Sequence, residues 1–187
     1  MSDYIALLEA IHAVKHLPRK GWIEHGLDEQ QVESVAAHSF GTAALACILK
    51  EGGYFPDDLP FERVMELALL HDIGESVIGD VTPADDVPAE KKAAMEREAV
   101  RTLLHDVPGL DAMTKDLEGL VSAHGETGTD RVHALVKQLD KLDMMIQALF
   151  YERDTGKDLS EFYNDPRRYL ADETLLAFFE SVKQGLG

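Results

Sequence analysis

The apolar residues of this chain recur at helical spacing in nearly every segment that could form regular structure. Ile5, Leu8 and Ile11 form one such stripe, and further stripes follow along the chain. Little of the sequence alternates apolar and polar residues with the period of two that a half-buried strand requires. Because a helix with one apolar face is stable only when that face is buried, the pattern predicts an all-α helical bundle.

Glycines, prolines and capping residues divide the chain into expected helices. Pro18 ends the first helix, Ser34 is placed to cap the second, and Gly52 and Gly53 stop it. The expected helices cover residues 4–16, 34–49, a segment from 63 that glycine 74 or 79 ends or bends, 89–104, 114–123, 130–153 and 174–183, with a break at 124–128. No repeat or linker separates them, so residues 1–187 are predicted to form one domain.

The charge of the chain limits its partners. Asp and Glu outnumber Lys and Arg by 35 to 18, which gives a formal net charge of −17. A field of that sign disfavours nucleic-acid polymers and anionic membranes, but it permits a small phosphorylated substrate held by a metal ion and a few basic groups. With no signal-like N-terminus and no apolar run near the ~18 residues that cross a bilayer, we expect a cytoplasmic protein.

The pair His71-Asp72 is the clearest candidate for chemistry. Val64, Leu67 and His71 share one face of the expected helix, so the imidazole points towards the core. Glu75 can join the same patch if the helix continues for one more turn. An imidazole and two carboxylates beside an apolar wall are costly to desolvate without a compensating cation, so the cluster predicts a metal site. Because the chain has a single cysteine, the ligands must be His, Asp and Glu.

Two further segments can complete such a site. His38 shares a helix face with Gly41 and Thr42, whose small side chains would let another helix approach closely, so His38 is expected to be buried. In the expected helix 130–153, Asp140 and Asp143 both lie beside an apolar stripe, where a carboxylate needs a partner. Periodicity does not choose between these two aspartates.

The order of these residues resembles the H…HD…D pattern of the HD-domain metal-dependent phosphohydrolases. Within that family, four blocks of the chain are similar to the branch that contains the 5'-deoxynucleotidases: Pro-Arg-Lys-Gly-Trp at 18–22, Glu-Ser-Val-Ala-Ala-His at 33–38, the stretch from His-Asp to Pro-Ala-Asp at 71–85, and Val-Lys-Gln-Leu-Asp-Lys at 136–141. The resemblance implies an HD-domain helical fold and a homodimer. It also selects Asp140 as the fourth metal ligand and places Asp143 behind the ligands or at the surface.

The resemblance assigns a role to each remaining candidate. His38, His71, Asp72 and Asp140 would hold one divalent transition metal, and two imidazoles with two carboxylates suit Mn, Co, Fe, Ni or Zn. Glu75 would act as general acid or base on the hydrolytic water or the leaving group. Asp80 would be a second catalytic residue, which contacts the sugar or assists at the substrate edge. The substrate would be bound at the phosphate by Arg19, at the sugar pocket by Trp22, and by Lys137, which lies near the acidic ligands.

The reaction implied is hydrolysis of the 5'-phosphate of a (deoxy)nucleoside monophosphate. A cyclic-nucleotide phosphodiesterase is one alternative, but it commonly needs further His and carboxylate blocks for a second metal. A nucleoside triphosphate hydrolase is another, but it usually has a richer basic lining. A metal-stabilised binding protein without turnover is the third, and Glu75 and Arg19 argue against it because a structural site needs neither residue.

Overall fold

The computed structural model describes residues 3–122 and 130–186. Over these residues the regular structure is helical, and the extended segments contribute one isolated bridge, between Pro18 and Ser34. The prediction of an all-α fold is confirmed. The α-helices are α1 Asp3–Val14, α2 Lys20–Glu24, α3 Val35–Glu51, α4 Phe61–Leu70, α5 Glu75–Ile78, α6 Ala89–Leu104, α7 Asp111–Ser122, α8 Arg131–Thr155 and α9 Glu173–Leu186, with 3-10 turns at Pro83–Asp85, Ser160–Phe162 and Pro166–Arg168.

Local capping sets the ends of the two helices that carry most of the site. The side chain of Ser34 accepts a hydrogen bond from the Ala37 amide at the start of α3, as predicted. Asp130 caps α8 by accepting from the amides of Val132 and His133. Gly156 ends α8 with a φ of 70°, a conformation that glycine adopts without strain. The predicted break at 124–128 lies outside the described residues.

The segment that starts at residue 63 is interrupted before Gly74, one of the two glycines expected to end or bend it. α4 ends at Leu70, residues 71–74 form a turn, and Glu75 begins the separate helix α5. A Cβ on Gly74 would lie only 3.3 Å from the backbone oxygen of Glu96, so glycine lets this turn pack closely against α6. Glu75 therefore reaches the cluster from the first turn of a new helix.

Helix α8 lies at the centre of the bundle and packs against α3, α4 and α9. Its residues Leu139, Leu142 and Met145 are fully buried, and each contributes ~1.5–3 kcal/mol to stability by leaving water. Among the described helices, none is long and apolar enough to traverse a bilayer. A central α8 places Asp140 and Asp143 inside the bundle.

Arg63 on α4 links the middle of α7 to the start of α8. Its Nε donates to Asp116 Oδ2 at 2.7 Å, and its Nη2 donates to Asp130 Oδ2 at 2.7 Å. His133 Nε2 lies 3.3 Å from the same Nη2. Asp116, Asp130 and His133 are spaced closely enough to hold a cation. The guanidinium already supplies that positive charge, so the cluster is a structural network.

Candidate active site

A cavity of about 940 Å³ lies between α2, α5, α6 and α8. The sequence-predicted residues that line it are Arg19, Trp22, His71, Asp72, Glu75, Asp80, Lys137 and Asp140. His38 is fully buried and lies behind them, in contact with Asp140. Residues far apart in the sequence thus meet around one space large enough for a small organic ligand.

His38 is fixed on both ring nitrogens by carboxylates of α8. Its Nδ1 lies 2.8 Å from Asp143 Oδ2, and its Nε2 lies 3.1 Å from Asp140 Oδ1. The close approach of α3 to α8 depends on Gly41, because a Cβ there would overlap the Asp143 carboxylate. If Nδ1 carries the proton and donates it to Asp143, the lone pair of Nε2 is directed at Asp140 and the cavity.

His71 is oriented in the same way by the backbone of its own helix. Its Nδ1 lies 2.9 Å from the carbonyl oxygen of Ala68, so the natural tautomer places the proton there. Its Nε2 is 3.1 Å from Asp72 Oδ2, but the two atoms do not meet hydrogen-bond geometry, and this buried nitrogen has no hydrogen-bond partner among the described residues. A buried polar atom without a partner is costly, so the site is built for a further ligand.

These donors fit a divalent metal ion. Ligand atoms of His38, His71 and Asp140 all lie within 4.8 Å of one another, and Asp72 Oδ2 lies 3.9 Å from His38 Nε2. A metal-ligating histidine usually donates its other ring N–H to a carboxylate or a carbonyl, which is the arrangement of both imidazoles here. Two nitrogens and two carboxylates suit a first-row transition ion.

Charges inside the cluster oppose the cost of burial. Burial and Arg19 lower the pKa of His38, but hydrogen bonds to Asp140 and Asp143 raise it to about 9. Burial raises the pKa of Asp72, but His71, His38 and Arg19 hold it below its usual range. The pKa of Asp140 is likewise well below its usual range, since Lys141 and the two histidines outweigh burial. The carboxylates are therefore ionised, and a metal ion would compete with a proton for His38.

Glu75 combines burial with an unused acceptor. Its side chain lies in the cavity wall and is 6% exposed, and Oε2 has no hydrogen-bond partner within the described part of the chain. Burial is the main cause that raises its pKa well above the usual range, and the nearby charges of Asp72 and Asp80 add to it. A carboxyl group with a raised pKa beside the proposed metal ligands is suited to general acid–base chemistry.

Arg19 and Asp80 are held by contacts around the start of α2. Arg19 caps this helix, and its Nη1 lies 3.4 Å from Asp72 Oδ2, within the cavity. Asp80 Oδ2 accepts a hydrogen bond of 2.7 Å from the Lys20 amide, which joins the loop after α5 to the segment that carries Arg19. Asp80 thus lies at the cavity edge and also fixes the position of Arg19.

Trp22 forms a rigid part of the cavity wall. The indole is 2% exposed, packs against Tyr151 and Phe162, and donates from Nε1 to Glu33 Oε1 at 3.0 Å. Its N–H is therefore engaged with protein, and Trp22 offers the cavity an apolar surface. Lys137, on α8 one turn before Asp140, also lines the cavity, and burial lowers its pKa.

The sequence did not predict the contacts of three side chains at the site. Asp143 was left behind the ligands or at the surface, and the structure places it on His38. Glu33 was quoted only as part of the block 33–38; it accepts from Trp22, and burial raises its pKa. Lys141 belongs to the block 136–141 without a role of its own, and it contacts Asp140 directly. The apolar stripe around positions 140 and 143 was the available signal, because a carboxylate in such a place needs a partner.

Comparison with known proteins identifies relatives over most of the chain. The HD domain family matches residues 11–176. The human 5'-deoxynucleotidase HDDC2 is 33% identical over 162 residues, which cover 86% of this chain and 74% of that protein. The Danio rerio 5'-deoxynucleotidase HDDC2 is 33% identical over 188 residues, covering 98% and 88%. A solved structure of a conserved hypothetical protein from Pyrococcus furiosus has 32% identity and a TM-score of 0.73, covering 96% of this chain and 99% of that one.

Proposed function

This chain belongs to the HD domain family, and on that premise we propose that it is a metal-dependent phosphohydrolase that removes the 5'-phosphate from (deoxy)nucleoside monophosphates. Relatives from human and Danio rerio carry the name 5'-deoxynucleotidase, which supports this reaction and substrate class. The observation that carries the proposal is the buried His71 Nε2. This nitrogen lies close to the carboxylates of Asp72 and Asp140, and it has no hydrogen-bond partner among the described residues.

His38, His71, Asp72 and Asp140 would hold one divalent transition ion, drawn from Mn, Co, Fe, Ni or Zn. When bound, such an ion lowers the pKa of water and offsets the negative charge of the phosphoryl group. Asp143 and the Ala68 carbonyl orient the two imidazoles for this role, because each accepts the Nδ1 proton.

Glu75 would handle the proton of the reaction. Burial raises the pKa of Glu75 well above its usual range, which favours its carboxyl as the donor of a proton to the sugar oxygen that leaves when the phosphoester bond breaks. In the alternative role, the same carboxyl accepts a proton from the attacking water. Either role requires the carboxyl and not an amide, so both are removed by Glu75→Gln.

The remaining cavity residues would position the substrate. Arg19 presents the planar fork that phosphate recognition favours, and Asp72 and the Lys20–Asp80 contact hold it in place. Asp80 would contact the sugar or the substrate edge. Trp22 would form the apolar wall of the sugar pocket, and Lys137 would offset negative charge near the ligands.

The test is phosphate release from a panel of ribo- and deoxynucleoside 5'-monophosphates, with each divalent metal added to metal-stripped protein. We expect release from monophosphates that is lost in His71→Ala but kept in His105→Ala, a substitution of an exposed histidine. Release from triphosphates or cyclic nucleotides alone would replace the proposed substrate class. Metal binding without release from any nucleotide would favour a non-catalytic binding protein.

We also propose that the chain acts in the cytoplasm as one domain that forms a homodimer, with neither a nucleic-acid polymer nor a membrane as partner. The net charge of −17 supports the exclusion of polyanions. Exposed apolar side chains on α1 and α3, including Leu8 and Phe40, support self-association. Sedimentation of the purified chain at several concentrations tests the dimer, and a monomer at all concentrations would contradict it.

A further inference from the structure

Lys141 is a basic side chain that the proposed mechanism has not yet used. It follows Asp140 on α8, and its Nζ lies 3.1 Å from Asp140 Oδ2. The side chain lines the cavity and is 39% exposed, whereas Asp140 is 17% exposed. Lys141 therefore lies on the cavity side of a proposed metal ligand.

This contact is not a routine helix-surface ion pair. Neighbours in a helix do not face each other, so helix geometry alone does not bring residues 140 and 141 together. An exposed ion pair would add little stability. The cost of partly burying a lysine beside Asp140 is better explained by a role in the cavity.

Each of the two proposed carboxylate ligands is in contact with one basic side chain, either Arg19 or Lys141. Arg19 contacts Asp72 from the start of α2, and Lys141 contacts Asp140 from α8. Both basic groups line the same cavity. They thus reach the cluster from two different elements of the fold.

Charge balance gives this arrangement a purpose. A divalent ion would neutralise the charges of Asp72 and Asp140. A phosphate monoester then brings a charge of about −1.5 to −2 at neutral pH. One guanidinium carries a single positive charge, so further basic groups are needed to offset the phosphate in a chain whose net charge is already −17. Arg19 and Lys141 together offset it.

We propose that Lys141 is a phosphate-binding residue, which with Arg19 grips the phosphoryl group from two sides. The proposal rests on the proposed function and deepens it by adding a second basic contact to the substrate phosphate. A charge-assisted hydrogen bond of this kind typically changes affinity by ~10- to 100-fold. In the absence of substrate, Asp140 holds the amine in position.

The experiment measures binding of inorganic phosphate to manganese-loaded protein by calorimetry, together with metal content and the kinetics of monophosphate hydrolysis. Lys141→Met should weaken phosphate binding by ~10-fold or more and raise KM, with metal content unchanged. Lys141→Arg should keep most of the affinity, because it keeps the charge. The matched control is Lys115→Met, which removes the same charge from an exposed position on α7.

Equal phosphate affinity in Lys141→Met and Lys115→Met would overturn the proposal. A loss of metal that parallels the loss of phosphate would also overturn it, because Lys141 would then only position Asp140. If the wild-type protein binds phosphate but hydrolyses no monophosphate, the proposed function fails while the phosphate assay still decides the role of Lys141. A wild type that binds no phosphate would contradict both.

Discussion

At the level of single residues, a substitution of Glu75 tests proton transfer independently of metal binding. Its carboxyl is buried, its pKa is raised, and the proposed ligand set is complete without it. We expect Glu75→Gln to retain fold and metal content while kcat falls by ~10²-fold or more, because an amide of similar shape cannot exchange the proton. Single-turnover phosphate release and elemental analysis measure the two quantities.

The control for this prediction is Glu62→Gln, an exposed substitution of the same kind on α4. Turnover near the wild-type rate in Glu75→Gln would remove Glu75 from proton transfer. Loss of metal together with activity would instead make it a ligand.

A second prediction for a single residue concerns the effect of Asp143 on metal affinity. Its Oδ2 lies 2.8 Å from His38 Nδ1, where it would accept the proton of the tautomer that leaves Nε2 for the metal. Asp143→Ala should weaken metal affinity by ~10- to 100-fold, whereas Asp143→Asn should lose less because its amide oxygen can still accept the proton. Titration of metal into stripped protein checks this order. A larger loss in Asp143→Asn than in Asp140→Asn would mean that the ligand is Asp143.

The sequence could supply the candidates but not the pairing of these two aspartates. Both lie on the same apolar stripe, and the resemblance, not periodicity, selected Asp140 as the ligand. The structure places each on a different nitrogen of His38. Which aspartate faces which nitrogen depends on how α8 is rotated about its own axis relative to α3. No local sequence pattern specifies that rotation.

At the level of elements, the contact between α3 and α8 depends on Gly41. The sequence predicted a close helix approach around His38, and the structure confirms that a Cβ on Gly41 would overlap the Asp143 carboxylate. We expect Gly41→Ala to push this carboxylate away from His38. Metal affinity should then fall by the same amount as expected for Asp143→Ala. Gly185→Ala, where an added Cβ meets nothing nearby, is the matched control. Unchanged metal affinity in Gly41→Ala would show that the site does not need this close approach.

Local signals predicted the long helices and missed the short ones. Ser34 and the glycines at 52 and 53 bound α3 as expected, since capping is a property of neighbouring residues. Helix α2 fell inside an expected loop, because five residues are too few for a periodic signal and a contact with Asp80, sixty positions away, holds its start. The break before α5 lies at Gly74, one of the two glycines that the sequence marked as an end or a bend, but the start of a new helix there depends on the approach of α6.

At the level of the whole molecule, the Arg63 network links α4, α7 and α8 through side chains that do not line the cavity. The hydrogen bond from Arg63 lowers the pKa of Asp116 in the folded chain. This stabilisation is present above the unfolded-state pKa of about 3.9 and is lost as the pH falls through the lower folded pKa. We expect Asp116→Asn to be less stable than wild type at pH 7, with the difference closing as the pH falls below about 4. Urea unfolding in chelator across this range measures it.

The control for this pH dependence is Asp57→Asn, at an exposed position outside the helices. A constant difference between wild type and Asp116→Asn at all pH values would mean that the ionised pair does not contribute. The sequence did not reveal this network, since its partners lie on three elements and nothing in their spacing relates them.

The central claim is that His38, His71, Asp72 and Asp140 hold one divalent ion on which phosphate release depends. The most direct test titrates metal into stripped protein while phosphate release from deoxynucleoside 5'-monophosphates is followed. We expect activity to rise with added metal and to saturate at one ion per chain. Ala at any of the four ligand positions should abolish it. Full activity of the stripped protein, or saturating metal binding in the His71→Ala variant, would contradict it.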